Sequence, residues 1–359
     1  MYNVHSFGTP ESPMAPYTQP QSESHKVETF RLGPFMPPRI WTGLWQLSSN
    51  AWGSASVAKI RQGMARHLQH GYTTFADHYG SAEIIFGQFR GSLPASEQVV
   101  GATKWCVFKR IVPSRAVVLA AVQERMERMG TNKVDLLQFH WNDYSDKGYL
   151  TALDILQDLK SEGLISAVGL CNFDTIRTDE ICTQLGPGAI VSNQVQFSII
   201  DTRPLHGMSD VCEKHDLKLL TYGTLCGGFL ADKWMGKPEP DLYSGNLTPS
   251  QRKYLDMIVK VWGTWELFQS LLATLRVIGD RHGGLSIANI ATRWVLDHPF
   301  VGAVIIGARL GLSEHPDDNH RVFGFKLSEQ DNSDIEAVLM HSDGRRTITT
   351  IGDCGAEYR

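Results

Sequence analysis

Tyr79, Lys104 and His140 each follow a short apolar run, and together they make a sensible proton-transfer set. An ammonium near a phenol favours the phenolate and lowers its pKa. The phenol then serves as a general acid near neutral pH. An imidazole beside the pair can hydrogen-bond a substrate oxygen. Singly, each residue has an ordinary explanation. Tyr79-Gly80 reads as a turn, Lys104 as a solvated strand end, and the His of Phe139-His140-Trp141 as a satisfied core residue. More polar residues close other runs, Asp77 and His78 before Tyr79, then Cys171 and Asn172, and Tyr222, while Gln194 lies within its run.

The elements that would position these residues are legible as an alternation. Apolar runs at 40–47, 72–76, 99–103, 136–139, 167–170, 190–197, 217–222 and 303–306 read as strands. Amphipathic stretches separate them; Val57, Ile60, Met64 and Leu68, for example, repeat at helical spacing. Continuous apolar strands need cover on both faces, as in parallel sheets. Eight such strand-helix units fit a closed (β/α)8 TIM barrel over 29–341, whose chemistry sits at the C-terminal ends of the strands. A doubly wound sheet would call for G-x-G-x-x-G after the first strand, and the sequence lacks it. Residues 1–28, rich in Pro, Ser, Gln and Glu, read as a disordered arm, and 342–359 as a patternless surface tail. Residues 224–266 form a connection too long for a simple turn, expected to overhang the mouth as a lid. Its Trp262 and Trp265 could line a substrate pocket or pack the lid.

Composition narrows the function. The chain has 359 residues, 42% hydrophobic and 20% charged, with net charge −4, which argues against a nucleic-acid or membrane-surface partner. Mean hydropathy is −0.19, and neither a membrane span nor a secretory leader is read. Six scattered cysteines match no zinc spacing and read as free thiols in a reducing, cytoplasmic setting. The Asn246-Leu247-Thr248 sequon then reads as chance. His67 and His70, three apart on a helix, read as a solvated face, and no metal site is expected.

Six segments in order resemble the aldo-keto reductases. They are Gly71-Tyr-Thr-Thr-Phe-Ala-Asp-His-Tyr-Gly-Ser-Ala-Glu83, Ala102-Thr-Lys-Trp105, Asp135-Leu-Leu-Gln-Phe-His-Trp141, Val168-Gly-Leu-Cys-Asn-Phe173, Ser192-Asn-Gln-Val195 and Ile306-Gly-Ala-Arg309. The resemblance implies a (β/α)8 barrel that binds NADP(H) at its mouth and reduces aldehydes and ketones. Tyr79 then matches the proton donor, Lys104 the residue that lowers its pKa, and His140 the carbonyl-orienting residue. Asn172 and Gln194 match the residues that hold the nicotinamide carboxamide, with Cys171 where Ser is usual. Tyr222 matches the ring that stacks on the nicotinamide, and Gly223, Leu225 and Gly227 the loop along the pyrophosphate. Arg309 and His315 fall near the adenosine 2′-phosphate, and Asn319 near the adenine.

One departure matters. The family pattern carries two further residues between Phe75 and Ala76, one of them the tetrad Asp. Asp77 takes a variable position two before Tyr79. Residues i and i+2 of a strand share a face, so Asp77 could join Tyr79 if the strand continued regularly. The expectation is an NADP(H)-dependent reductase of a small or medium carbonyl compound. The alternatives are a redox-silent isomerase, dehydratase or cyclase on the same barrel, and a cofactor-binding sensor or scaffold.

Overall fold

Short strands that are apolar on both faces can be stable only when sandwiched, and the chain closes them into a ring covered by helices. The computed structural model describes residues 26–359 apart from 79, 95, 96 and 244, and only the backbone of 77, 78 and 345. In chain order the elements are β1 (Ile40–Gly43), α1 (Val57–Gln69), β2 (Thr74–His78), α2 (Ser81–Gly91), β3 (Val100–Val107), α3 (Arg115–Arg128), β4 (Val134–Trp141), α4 (Gly148–Ser161), β5 (Ile165–Cys171) and α5 (Thr175–Leu185). There follow β6 (Ile190–Gln196), α6 (Met208–His215), β7 (Lys218–Tyr222), α7 (Pro249–Met257), α8 (Trp265–Arg281), α9 (Ile287–Leu296), β8 (Val301–Gly307), α10 (Pro316–His320), α11 (Glu329–Leu339) and α12 (Thr347–Thr350). The eight strands pair in parallel and close, β8 against β1, as a (β/α)8 barrel. Among the described residues, no helix is long and apolar enough to cross a membrane.

The strand alternation sorts side chains into two layers. Leu137, Phe139, Val168, Leu170 and Val195 face out and pack under the helices. Trp41, Ala76, Ala102, Leu136, Ala167, Leu220 and Ala303 face in and fill the lower barrel. Residues 29–38 form a small hairpin-like floor, with bridges Thr29–Pro38 and Leu32–Phe35, and Leu32 joins the inner cluster. Above this apolar plug the inward positions turn polar, which is where the mouth begins.

Three local expectations change. The first strand ends at Gly43, and Trp45–Ser48 is a 3-10 turn. The edge of β2 is irregular: Ala76 pairs with Ala102 but His78 with Thr103, leaving Asp77 as an extra residue. Such a bulge interrupts the regular backbone alternation; Tyr79 and the side chain of Asp77, on which a shared face rests, lie outside the described residues. Third, His67 is buried, not solvated. Its Nδ1 is 2.8 Å from the Thr42 hydroxyl and its Nε2 3.3 Å from Glu314, and burial drives its pKa down to about 4. It lies among protein partners, and the described residues hold no cluster suited to a metal.

The long connection after β7 is folded. Trp262 and Trp265 are both buried in a cluster with Phe229 and Phe268, so they pack the insert. Thr248 caps α7 through a reciprocal bond with Gln251. Ser250 on that helix accepts from Trp52 Nε1 at 3.1 Å, tying the insert to the segment after β1 across the mouth.

Candidate active site at the barrel mouth

Ala102 lies in the inner cluster, so Lys104, two residues on, also projects inward. The same parity carries Leu136 to Gln138 and His140, and Ala167 to Gly169 and Cys171. Lys104 pairs in register with Gln138, and Cys106 with His140. Lys104 is buried, and Arg125 on α3 donates to its carbonyl oxygen at 2.8 Å, fixing the strand backbone beneath it. Lys104 and His140 are thus brought to one sector of the inner wall.

His140 is 2% exposed, and its Nδ1 is 3.0 Å from the Cys171 carbonyl oxygen. Its Nε2 has no hydrogen-bond partner among the described residues. Burial drives the imidazole pKa down to about 4, and the nearby Arg359 and Lys104 charges push the same way. The ring is therefore neutral at ordinary pH. Phe108 packs beside it at 5.6 Å between centroids, and Tyr358 meets it edge-on at 6.5 Å.

In the adjoining sector, β5 to β7, the backbone does more of the positioning. Asn172 adopts a left-handed φ of 59° just beyond β5, and its N–H donates to the Gln194 carbonyl at 2.8 Å. Cys171 Sγ lies 3.6 Å from Gln194 Oε1, while Gln194 Nε2 is buried without a partner among the described residues. Tyr222 ends β7, and its hydroxyl lies 2.9 Å from Asn172 Oδ1 and 3.1 Å from the Tyr358 hydroxyl. Lys253 of α7 donates to that same Tyr358 hydroxyl at 2.9 Å. Read by donors, the chain runs Lys253 to Tyr358 to Tyr222 to Asn172.

Residues 342–359, expected to lie patternless on the surface, are folded onto this side of the mouth. Asp353 accepts from Thr175 N at 2.8 Å at the start of α5. Cys354 is buried, and any Cβ on Gly355 would collide with the Asn172 carbonyl. Arg203, 1% exposed, pairs at 2.8 Å with both Asp201 and Glu357. Burial pushes the Glu357 pKa up, but Arg203 outweighs it and holds the carboxyl below its ordinary value. Arg359 donates to the Asn172 carbonyl and the Tyr144 hydroxyl and lies over the Tyr144 ring. Sequence reasoning missed Lys253, Arg203, Tyr358 and Arg359. None sits at a strand end, and the closing Glu357-Tyr358-Arg359 has no periodicity to flag it.

The other anticipated residues fall in two places. Gly223 (φ 74°) and Gly227 (φ 65°) bracket Leu225 after β7, and α7 packs straight onto them: a Cβ on Gly223 would meet the Tyr254 hydroxyl, and one on Gly227 the Ser250 backbone. Arg309, His315 and Asn319 all follow β8. Arg309 is exposed and, with Gln46, Asn50, Trp52 and Leu312, lines a cavity of about 150 Å³. His315 precedes α10, and Asn319 lies within it, donating its N–H to the His315 carbonyl at 2.9 Å. The carboxamide candidates, Asn172 and Gln194, and Tyr222 therefore share the β5–β7 side, separate from the Arg309 group. The orphaned Gln194 amide fits a ligand that brings its own hydrogen-bonding group, as a nicotinamide carboxamide does.

The comparisons with known proteins agree with this architecture. A model of the aldo/keto reductase family matches residues 39–340. Aldo-keto reductase YhdN of Bacillus subtilis is 25% identical over 317 residues, 84% of this chain and 89% of that protein. Protein tas of Escherichia coli is 26% identical over 253 residues, 64% of this chain and 70% of its own length. Among solved structures, the glycerol dehydrogenase AKR11B4 from Gluconobacter oxydans superposes with TM-score 0.68 at 22% identity, over 87% of this chain and 95% of that one. A Klebsiella pneumoniae aldo/keto reductase in complex with NADP and acetate gives 0.66 at 20% identity, over 88% and 96%.

Proposed function

The chain belongs to the aldo/keto reductase family of oxidoreductases, and on that premise we propose that it reduces a small or medium carbonyl compound with NADP(H). Bound NADP(H) supplies the hydride. Tyr79 gives the proton to the developing alkoxide, Lys104 lowers the pKa of that phenol, and His140 holds a substrate oxygen. Asn172 and Gln194 hold the carboxamide, with Cys171 beside them, and Tyr222 stacks on the ring. The backbone around Gly223, Leu225 and Gly227 follows the pyrophosphate. Arg309 and His315 meet the 2′-phosphate, and Asn319 the adenine. Arg gives charge-assisted, bidentate contacts to phosphate, which favours NADPH over NADH. We place the protein in the cytoplasm, where its six free cysteines stay reduced.

The observation that carries this reading is the inner wall at β3 and β4. A buried lysine and a buried imidazole with a partnerless nitrogen project from neighbouring strands above an apolar plug. A buried polar atom without a hydrogen bond is unfavourable, and the partnerless His140 Nε2 fits a site that a ligand completes. The test is NADPH oxidation across a panel of aldehydes and ketones. Lys104→Met is expected to lower kcat/KM by about 10²–10⁴-fold, the usual worth of positioned acid-base chemistry, with circular dichroism unchanged. A wild-type protein that oxidises NADPH with no carbonyl of the panel would overturn the proposal.

A further inference from the structure

Lys253 keeps its ammonium among tyrosines. Its Nζ lies 5.8 Å from the Tyr222 ring centroid, 5.4 Å from that of Tyr254 and 5.1 Å from that of Tyr358, and it donates to the Tyr358 hydroxyl at 2.9 Å. Among the described residues it forms no ion pair, whereas Lys260, further along the insert, is paired with Asp256. The Glu357 carboxylate lies within the field of Lys253, but both its oxygens are taken by Arg203, at 2.8 and 3.0 Å. The insert and the folded C-terminus therefore hold a cation without a carboxylate of its own beside the ring that ends β7. A cation on an aromatic ring draws on the negative charge of the ring face, so a second cation finds that ring less attractive.

We propose that Lys253 is a specificity-determining residue for the redox state of the cofactor, setting the site against the oxidised nicotinamide and in favour of the reduced one. This rests on the placement of the nicotinamide on Tyr222 proposed above. The oxidised ring is a pyridinium with a formal positive charge, and the dihydronicotinamide is neutral. The two forms are otherwise alike, so contacts to phosphate and adenine cancel in the comparison. Aromatic partners stack with centroids from about 4.5 Å apart, which puts the Lys253 ammonium within about 10 Å of the nicotinamide, one Debye length at ~0.1 M salt. Like charges at that separation repel, and a neutral ring escapes the repulsion. Lys253 then biases the mouth toward taking up NADPH and letting NADP+ go. Tyr254 and Tyr358 hold its charge in place for that purpose.

The experiment titrates NADPH and NADP+ separately, by calorimetry, into the full chain as wild type, Lys253→Met and Lys253→Arg. The readout is the ratio of the NADP+ dissociation constant to that of NADPH. Lys253→Met, which keeps the stem and removes the charge, is expected to lower the ratio about three- to tenfold. Lys253→Arg, which keeps the charge, is expected to hold it near the wild-type value. The gap between wild type and Lys253→Met should narrow as salt rises from about 0.05 M to about 0.5 M. A merely structural role, anchoring Tyr358 and the tail, would weaken both forms alike and leave the ratio where it was. Both forms binding with a ratio that Lys253→Met does not move, or that Lys253→Arg lowers just as far, overturns this inference and leaves the proposed function standing. Failure of wild type to bind either form overturns both.

Discussion

The two sides of the mouth are built by different means. On the β3–β4 side, regular strands project Lys104, Gln138 and His140 from every second position, and register alone brings neighbours level. On the β5–β7 side, the left-handed Asn172, the glycines after β7, α7 and the folded C-terminus share the work. The first side leaves polar groups unsatisfied: His140 Nε2 and both side-chain polar atoms of Gln138 lack partners among the described residues. The second side largely satisfies its own, since Asn172, Tyr222, Tyr358 and Lys253 bond one another. Groups left wanting point to chemistry, while groups bonded in a chain point to shape and access. Changes on the first side should therefore cost activity, and changes on the second should cost stability or cofactor binding.

The largest stability effect should come from the second side. Arg203→Leu removes one partner of a buried pair and leaves Asp201, 0% exposed, uncompensated while freeing Glu357 and the tail. Breaking such a pair costs about 3–5 kcal/mol, to be read from urea unfolding. A loss under 1 kcal/mol would show that the tail is not anchored there, and the contrast between the two sides would fail. Glu357→Gln keeps the Asp201 contact and should cost clearly less.

A smaller effect comes from acid. His140 and His298 both have folded pKa values driven down to about 4 by burial, below their ordinary 6.5. Above pH 6.5 both folded and unfolded forms are neutral, and nothing is lost. As pH falls from 6.5 toward 4 the unfolded chain takes protons that the fold refuses, so stability drops; below 4 the loss levels off. Each group accounts for on the order of 3 kcal/mol across that window. Melting temperature against pH checks this. His140→Phe and His298→Phe should each make the profile shallower than that of the wild type, and a variant as steep as the wild type would refute the assignment for that residue.

The smallest of the three separates binding from fold. Tyr222→Ala should weaken NADPH binding by about ten- to a hundredfold, since stacking on an aromatic side chain contributes ~1–3 kcal/mol. Fluorescence titration reads it. Undiminished affinity would mean that the Tyr222 bonds to Asn172 and Tyr358 serve the tail alone, making the β5–β7 side wholly structural.

Lys104, His140, Asn172, Gln194 and Tyr222 are legible because each lies in or just after a strand whose apolar run is local and periodic. Parity then tells which face each side chain takes. The β2 edge was legible only as a shortening; its bulge at Asp77 follows from pairing with β3, which one strand's sequence does not contain. His67 looked solvated from helix spacing, yet Glu314 and Thr42 come from elements far along the chain and enclose it.

By itself the sequence determined the barrel, the order of its units and the inward residues of its mouth, because strand period and apolar cover are properties of short segments. Tertiary structure alone decided how the mouth is closed. Tyr358 meets Tyr222 across 136 positions, and Arg359 reaches Asn172 across 187. Such contacts depend on where a closed ring of strands places its loops, and a tail with no period of its own carries no mark of the partners it will find. The same holds for the setting of His140, held against a carbonyl on the neighbouring strand and buried around its ring.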